Sequence, residues 1–183
     1  MNIPYSRWIS FDCYGTLVDW LSGFAKILAP IAGTMTGRLL DAYHRHERIA
    51  EQEAPFRPYK QVLASSLSHA ANEIGLALSD EQVNVLSNEW HRQPLFDDVE
   101  PALAHLRAAG WNLAILTNCD EDLFERTQDC FHERFALVVT AERVRSYKPA
   151  PAHFKFFRDQ TGVRPEDWVQ LVSRHRPRAQ TRT

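Results

Sequence analysis

A block of about 70 residues with helical periodicity and no strand signal interrupts an otherwise regular alternation of strands and helices, and this interruption restricts the possible folds more than any other feature. Arg7 to Asp12 is a short apolar run with Trp and Ile, ended by Gly15-Thr16, which suits a buried strand. From about Ser22 to Gln93 the pattern is helical: LLDAYHRHERIAEQ, then YKQVLASSLSHAANEIG, then SDEQVNVLSNEWHRQ, where Ser79 and Gln82 form a capping-box pair. After Pro94 the strand-helix rhythm returns. Helix VEPALAHLRAAG closes at Gly110; strand NLAILT, helix DEDLFERTQDCF and strand ALVVTA follow, then Lys148-Pro149, helix PAHFKFFRDQTG and strand WVQLV. The expected class is α/β, a Rossmann-like parallel sheet core with a helical cap inserted after the first strand. The expected division is residues 1–20 and 94–173 for the core, 21–93 for the cap and 174–183 for a basic irregular tail.

Ligands of open parallel sheets sit outside the carboxyl ends of the strands. Asp12 ends the first strand, Thr117 and Asn118 end NLAILT, and Lys148 follows ALVVTA by a short loop. Each has an ordinary alternative: Asp12 a turn residue, Thr117-Asn118 a strand-ending turn or helix cap, Lys148 a solvated lysine. Their common position at one sheet edge, in order, favours a shared crevice.

At 183 residues and 44% hydrophobic content the chain suits one globular unit with a real core. A net charge of -2 offers no general basic field for nucleic acid or anionic lipid, so the expected partner is a small molecule. No apolar run reaches the roughly 18 residues of a membrane span. The start, MNIPYSRWIS, lacks the build of a secretory signal, which makes cytoplasm the default location. Cys13, Cys119 and Cys130 form no CxxC pair and read as reduced thiols.

Asp12 in FDCYGTLVDW, Thr117-Asn118 in LAILTN and Lys148 in SYKPAP resemble the first three motifs of the haloacid dehalogenase superfamily, over about Arg7 to Ser173. The resemblance implies nucleophilic catalysis by Asp12 through a covalent ester that water later opens. Lys148 would give Asp12 an opposite charge, and Thr117 and Asn118 would donate hydrogen bonds to substrate oxygens. Thr16 counts with Asp12 and Lys148 among the catalytic residues, because Gly15-Thr16 turn the chain away from the carboxylate. Ser173 joins them as the start of a fourth motif.

Phosphatases of the superfamily carry a second Asp two residues after the nucleophile, which protonates the leaving alkoxide. Tyr14 stands there in this chain. Halide leaves without a proton, so DCYGTL and YKP resemble the type II 2-haloacid dehalogenases, which use no metal; no cofactor is implied. Tyr14 counts as substrate-binding. Asp19 and Asp120, the nearest other acids, read as helix caps, which disfavours the phosphatase alternative. Trp20, Phe24 and Trp90 read as core residues before pocket residues, and pairing of cap helices into a homodimer is open.

Two features depart from that pattern. The cap arginine that, in the family, engages the substrate's carboxylate and the halogen has no clear counterpart: the length of the cap points near Ala50, and Arg45 and Arg48 belong to a face of mixed charge. After Ser173 comes RHRPRAQTRT, with Arg174, Arg176, Arg178 and Arg182 and no acid, where the family has a serine followed by a carboxylate. That tail reads as a truncation or frameshift, with a sheet edge left uncovered, reduced stability and impaired opening of the ester as the expected consequences. The rival reading is a noncatalytic remnant of such an enzyme.

Overall fold

The computed structural model describes residues 7–172, so Ser173 and the tail 174–183 lie outside the described residues. Four strands form one parallel sheet there: β1 (Trp8–Phe11), β2 (Asn112–Thr117), β3 (Leu137–Thr140) and β4 (Trp168–Leu171), in the order β3-β2-β1-β4. Phe11 pairs with Ile115 and with Leu171, and Thr117 with Thr140, which brings these strands' carboxyl ends to one edge. Side chains alternate across β2, the feature that lets one strand serve two cores. Leu113 and Ile115 join the larger apolar cluster with Ile9 and Phe11, while Ala114 and Leu116 face Val139 and Phe157. Both sets are buried, as expected of a strand covered on two faces.

The block between β1 and β2 is helical, as the pattern predicts. It contains α1 (Trp20–Ala32), α2 (Thr36–Ala50), α3 (Tyr59–Ile74), α4 (Asp80–Val83) and α5 (Val85–Asn88). Asp19 caps α1, its Oδ1 accepting from the Ser22 N–H at 3.1 Å. Ser79 and Gln82 close the expected capping box on α4. The single helix expected over SDEQVNVLSNEWHRQ breaks into α4, α5 and a 3-10 turn at Trp90–Arg92. Asn84 lies at the break and its side chain donates to the Asp80 carbonyl at 3.1 Å, local bonding that competes with helix propagation.

The chain leaves and re-enters the sheet layer through a short antiparallel crossing. The Asp19 N–H donates to the Pro94 carbonyl at 2.8 Å and the Phe96 N–H to the Leu17 carbonyl at 3.1 Å. Beside it, Gly23 on α1 packs so closely on Gln93 that an added Cβ would stand 2.9 Å from Gln93 Cγ and 3.0 Å from its Cα. Then follow α6 (Val99–Ala108), α7 (Glu121–Gln128), α8 (Ala141–Val144) and α9 (Ala152–Thr161).

Asp120 corrects a sequence expectation. It sits at the N-cap position of α7 but makes no side-chain bond to that helix. Its carboxylate instead accepts from the Tyr59 N–H at 2.6 Å and the Lys60 N–H at 2.9 Å, capping α3 from across the molecule. A negative charge at a helix N-terminus satisfies orphan donors and meets the helix dipole.

Two stability predictions follow from these contacts. Gly23→Ala forces a backbone shift at a packed position and should cost about 1–3 kcal/mol, read as a fall in melting temperature of roughly 2–10 °C. Asp120→Ala strands two backbone donors and should lower stability in urea by about 1–3 kcal/mol, with Asp120→Asn intermediate.

Candidate active site

Asp12 follows β1 directly, and its N–H still bonds to the Leu171 carbonyl at 2.9 Å, so the side chain starts from the last ordered rung of the sheet. The chain then turns sharply. Gly15 adopts φ +90°, a left-handed conformation that disfavours any residue with a Cβ, and its N–H donates to the Val18 carbonyl at 2.8 Å. Thr16 belongs to that turn, with its N–H on the Cys13 carbonyl at 3.2 Å, and does not line the cavity described below.

Lys148 reaches the same edge from the loop after α8. Its Nζ donates to Asp12 Oδ1 and to the Leu116 carbonyl, both at 2.6 Å. Asp12 Oδ1 also accepts from the Cys13 N–H at 2.9 Å, whereas Oδ2 has no hydrogen bond among the described residues. Asn118 holds the lysine's backbone: its Oδ1 accepts from the Lys148 N–H at 2.7 Å and its Nδ2 donates to the Lys148 carbonyl at 3.2 Å. The second Nδ2 hydrogen goes to Glu51 Oε1 at 3.2 Å. Both side-chain N–H groups of Asn118 are thus engaged, and a donation from its amide side chain to substrate requires Glu51 or the Lys148 carbonyl to give way.

These groups open on a cavity of about 180 Å³ lined by Asp12, Tyr14, Thr117, Asn118 and Lys148 from the core. Trp20, Phe24, Glu47, Glu51, Tyr59 and Trp90 complete the wall from the helical block. Trp20, Phe24 and Trp90 therefore shape the pocket as well as packing in the core; the sequence pattern favours only the second role. Tyr14 contributes its ring. Its hydroxyl is taken up by Thr127 Oγ1 at 2.9 Å and by the Trp90 indole N–H at 3.0 Å, and burial pushes its pKa well up. The Thr117 hydroxyl is buried with no nitrogen or oxygen partner among the described residues.

Glu47 and Glu51 are the functional candidates that the sequence analysis missed. They lie four residues apart at the end of α2, one turn and two turns beyond the buried Tyr43, so the available signal was a pair of acids continuing an apolar stripe. Glu47 accepts from the Tyr43 hydroxyl at 2.8 Å and from the Tyr59 hydroxyl, with His44 Nδ1 at 3.5 Å. Arg45 and Arg48 point elsewhere, Arg45 pairing with Glu73 at 2.5 Å on the surface. No arginine lines the cavity among the described residues. Nor do any three His, Cys, Asp or Glu side chains among the described residues stand so as to hold a metal ion.

Burial is the main cause that pushes the Glu51 carboxyl up to about 8, with Glu47 adding to it and the Asn118 hydrogen bond and Lys148 opposing it. His153, behind the site, is held down at about 4 by burial and donates Nε2–H to the Thr117 carbonyl at 3.1 Å. Cys119 is pushed up to about 12 by burial and Cys13 well up, which keeps both as thiols.

The family model for haloacid dehalogenase-like hydrolases matches residues 7–169. The chain belongs to that family. It is 25% identical over 164 residues to (S)-2-haloacid dehalogenase 1 of Pseudomonas sp. (strain CBS-3), covering 86% of this chain and 71% of that protein. It is also 25% identical over 175 residues to haloacetate dehalogenase H-2 of Moraxella sp. (strain B), covering 90% and 76%. A crystal structure of an L-2-haloacid dehalogenase matches with a TM-score of 0.83 at 25% identity, covering 93% of this chain and 79% of that one. This haloacid dehalogenase-like hydrolase therefore has the α/β fold expected from its motifs. No helix among its described residues is long and apolar enough to cross a membrane.

The raised Glu51 carboxyl predicts a pH effect on stability. Between its ordinary value of 4.5 and about 8 the folded state binds more protons than the unfolded state, so its contribution is present below 4.5 and is lost as pH rises through 8. Glu51→Gln should match the parent near pH 4.5 and exceed it above pH 8 by on the order of a few kcal/mol in urea unfolding.

Proposed function

We propose that this haloacid dehalogenase-like hydrolase cleaves the carbon–halogen bond of a small 2-haloalkanoic acid through an ester on Asp12, without a metal. The observation that carries the reading is the state of the Asp12 carboxylate: Oδ1 is held by Lys148 and the Cys13 N–H, and Oδ2 is unengaged beside the cavity. The names of the haloacid and haloacetate dehalogenases it resembles support the same chemistry.

In the first step Oδ2 attacks the carbon bearing the halogen. The carbon–oxygen bond forms as the carbon–halogen pair departs with halide, and Lys148 remains against Oδ1. Water then adds to the ester carbonyl carbon. The developing oxyanion lies beside the Lys148 ammonium, which favours charge there. Collapse breaks the acyl–oxygen bond, returns Asp12 and releases a 2-hydroxy acid, with one water proton on the product and one passed to solvent. Thr117, whose hydroxyl has no nitrogen or oxygen partner among the described residues, is the available donor to a substrate oxygen, while Asn118 positions Lys148. Residues 21–93 act as the cap, supplying the apolar wall of Trp20, Phe24 and Trp90 that limits water around the nucleophile.

A phosphatase reading needs an acid to protonate the leaving oxygen. Tyr14 occupies the expected position with its hydroxyl engaged, Asp19 caps α1 and Asp120 caps α3. These engagements favour the halide reaction.

Halide release from 2-chloropropionate and chloroacetate, assayed without added metal, is expected to fall by at least about a thousandfold in Asp12→Asn. Folded protein that releases no halide would move the assignment to a noncatalytic relative.

A further inference from the structure

The cavity wall carries three carboxyl groups, Asp12, Glu47 and Glu51, and Lys148 is its one cation among the described lining residues. Their partners are unequal. Asp12 has the lysine and a backbone N–H. Glu47 has two tyrosine hydroxyls and a histidine. Glu51 has one neutral amide on Oε1, and no hydrogen bond to Oε2 among the described residues. Three close carboxyls with one ammonium cannot all carry charge cheaply, and a shared proton settles on the member with the weakest support. Among the described lining residues no guanidinium is present to meet a substrate carboxylate; beside the Thr117 hydroxyl from the core, the cap side offers Glu51.

We propose that Glu51 receives the substrate's carboxylate, and does so as a neutral acid, Oε2–H donating to the substrate while Oε1 accepts from Asn118. The assignment rests on the haloacid reading above and adds to it the group that binds the acid. Burial, with Glu47 next, keeps the proton on Glu51 up to a pH of about 8, which agrees with the partner inventory. The groups facing it are Glu47 on its own helix, Asp12 after β1, Asn118 after β2, Lys148 after α8, and the hydroxyls of Tyr43, Tyr59 and Tyr147. Glu47 and Asp12 disfavour charge on Glu51, and Lys148 and Asn118 favour it. A hydrogen bond from a neutral acid to a carboxylate is charge-assisted and short, so the substitute for an arginine is chemically adequate. Ionisation of Glu51 converts the donor into a repelling charge. The enzyme then loses its acid substrate as pH rises, while an uncharged analogue escapes that loss.

The test is the pH profile of kcat/KM for 2-chloropropionate and for uncharged 2-chloropropionamide, in the parent and in Glu51→Gln, with thermal melts to establish folding. For the acid, the parent should decline about tenfold per pH unit above about 8. The amide substrate should lack this decline, and Glu51→Gln should remove it for the acid, since its side-chain N–H donates at every pH. The same decline in the glutamine variant, or with the amide, overturns the proposal. If no Asp12-dependent halide release occurs, the haloacid reading fails separately, and binding of propionate, followed by fluorescence of Trp20 and Trp90, tests Glu51 by itself. The dissociation constant should rise about tenfold per pH unit above about 8 in the parent alone. Binding that is absent at pH 6, or independent of pH, counts against the assignment.

Discussion

Lys148 is the one ammonium lining a cavity with three carboxyl groups, among the described residues, and the arrangement of the site follows from how that charge is distributed. The lysine is committed to Asp12 and to the Leu116 carbonyl at 2.6 Å each, so every other acid must find neutral donors or keep its proton. Glu47 finds tyrosine hydroxyls from two helices and Glu51 finds Asn118. Asp120, just beyond, finds the N-terminus of α3. Each solution joins the sheet layer to the helical block or one helix to another. The polar contacts that make the pocket therefore also hold it together.

This arrangement links chemistry to mechanics. Asn118 touches both the Lys148 backbone and Glu51, so a shift of α2 against the sheet edge would be felt at the lysine paired with Asp12. The crossing of residues 17–19 and 94–96, braced by Gly23 against Gln93, is the narrow place through which the helical block connects in sequence.

The legible part of the site consisted of residues at strand ends. Asp12, Thr117, Asn118 and Lys148 were found because parallel strands deliver their carboxyl termini to one edge, and a polar residue at such an end has few other reasons to be there. Glu47 and Glu51 were not found. On a helix, an acid next to Arg45, His46 and Arg48 looks like part of a solvated charged face, and only the packing of α2 against α3 and the pocket reveals that these two acids face inward. Asp120 was read as a cap and is one, but for a helix 60 residues earlier in the chain. Local sequence can show that a carboxylate is placed to cap; it does not contain the identity of a helix that arrives through tertiary packing.

The sequence by itself determined the α/β class, the helical block after the first strand, the order of the motifs and the placing of Asp12 at the first strand's end. These rest on periodicity and on residue types at strand ends, which are local properties of the chain. Tertiary structure alone decided that the Asn118 side chain has no spare donor, that Tyr14 offers a ring rather than a hydroxyl, and that the cap side of the pocket carries Glu47 and Glu51 and, among the described lining residues, no arginine. Each of those depends on which distant side chains compete for the same hydrogen bond or charge. That competition exists only once the helices are packed over the sheet edge.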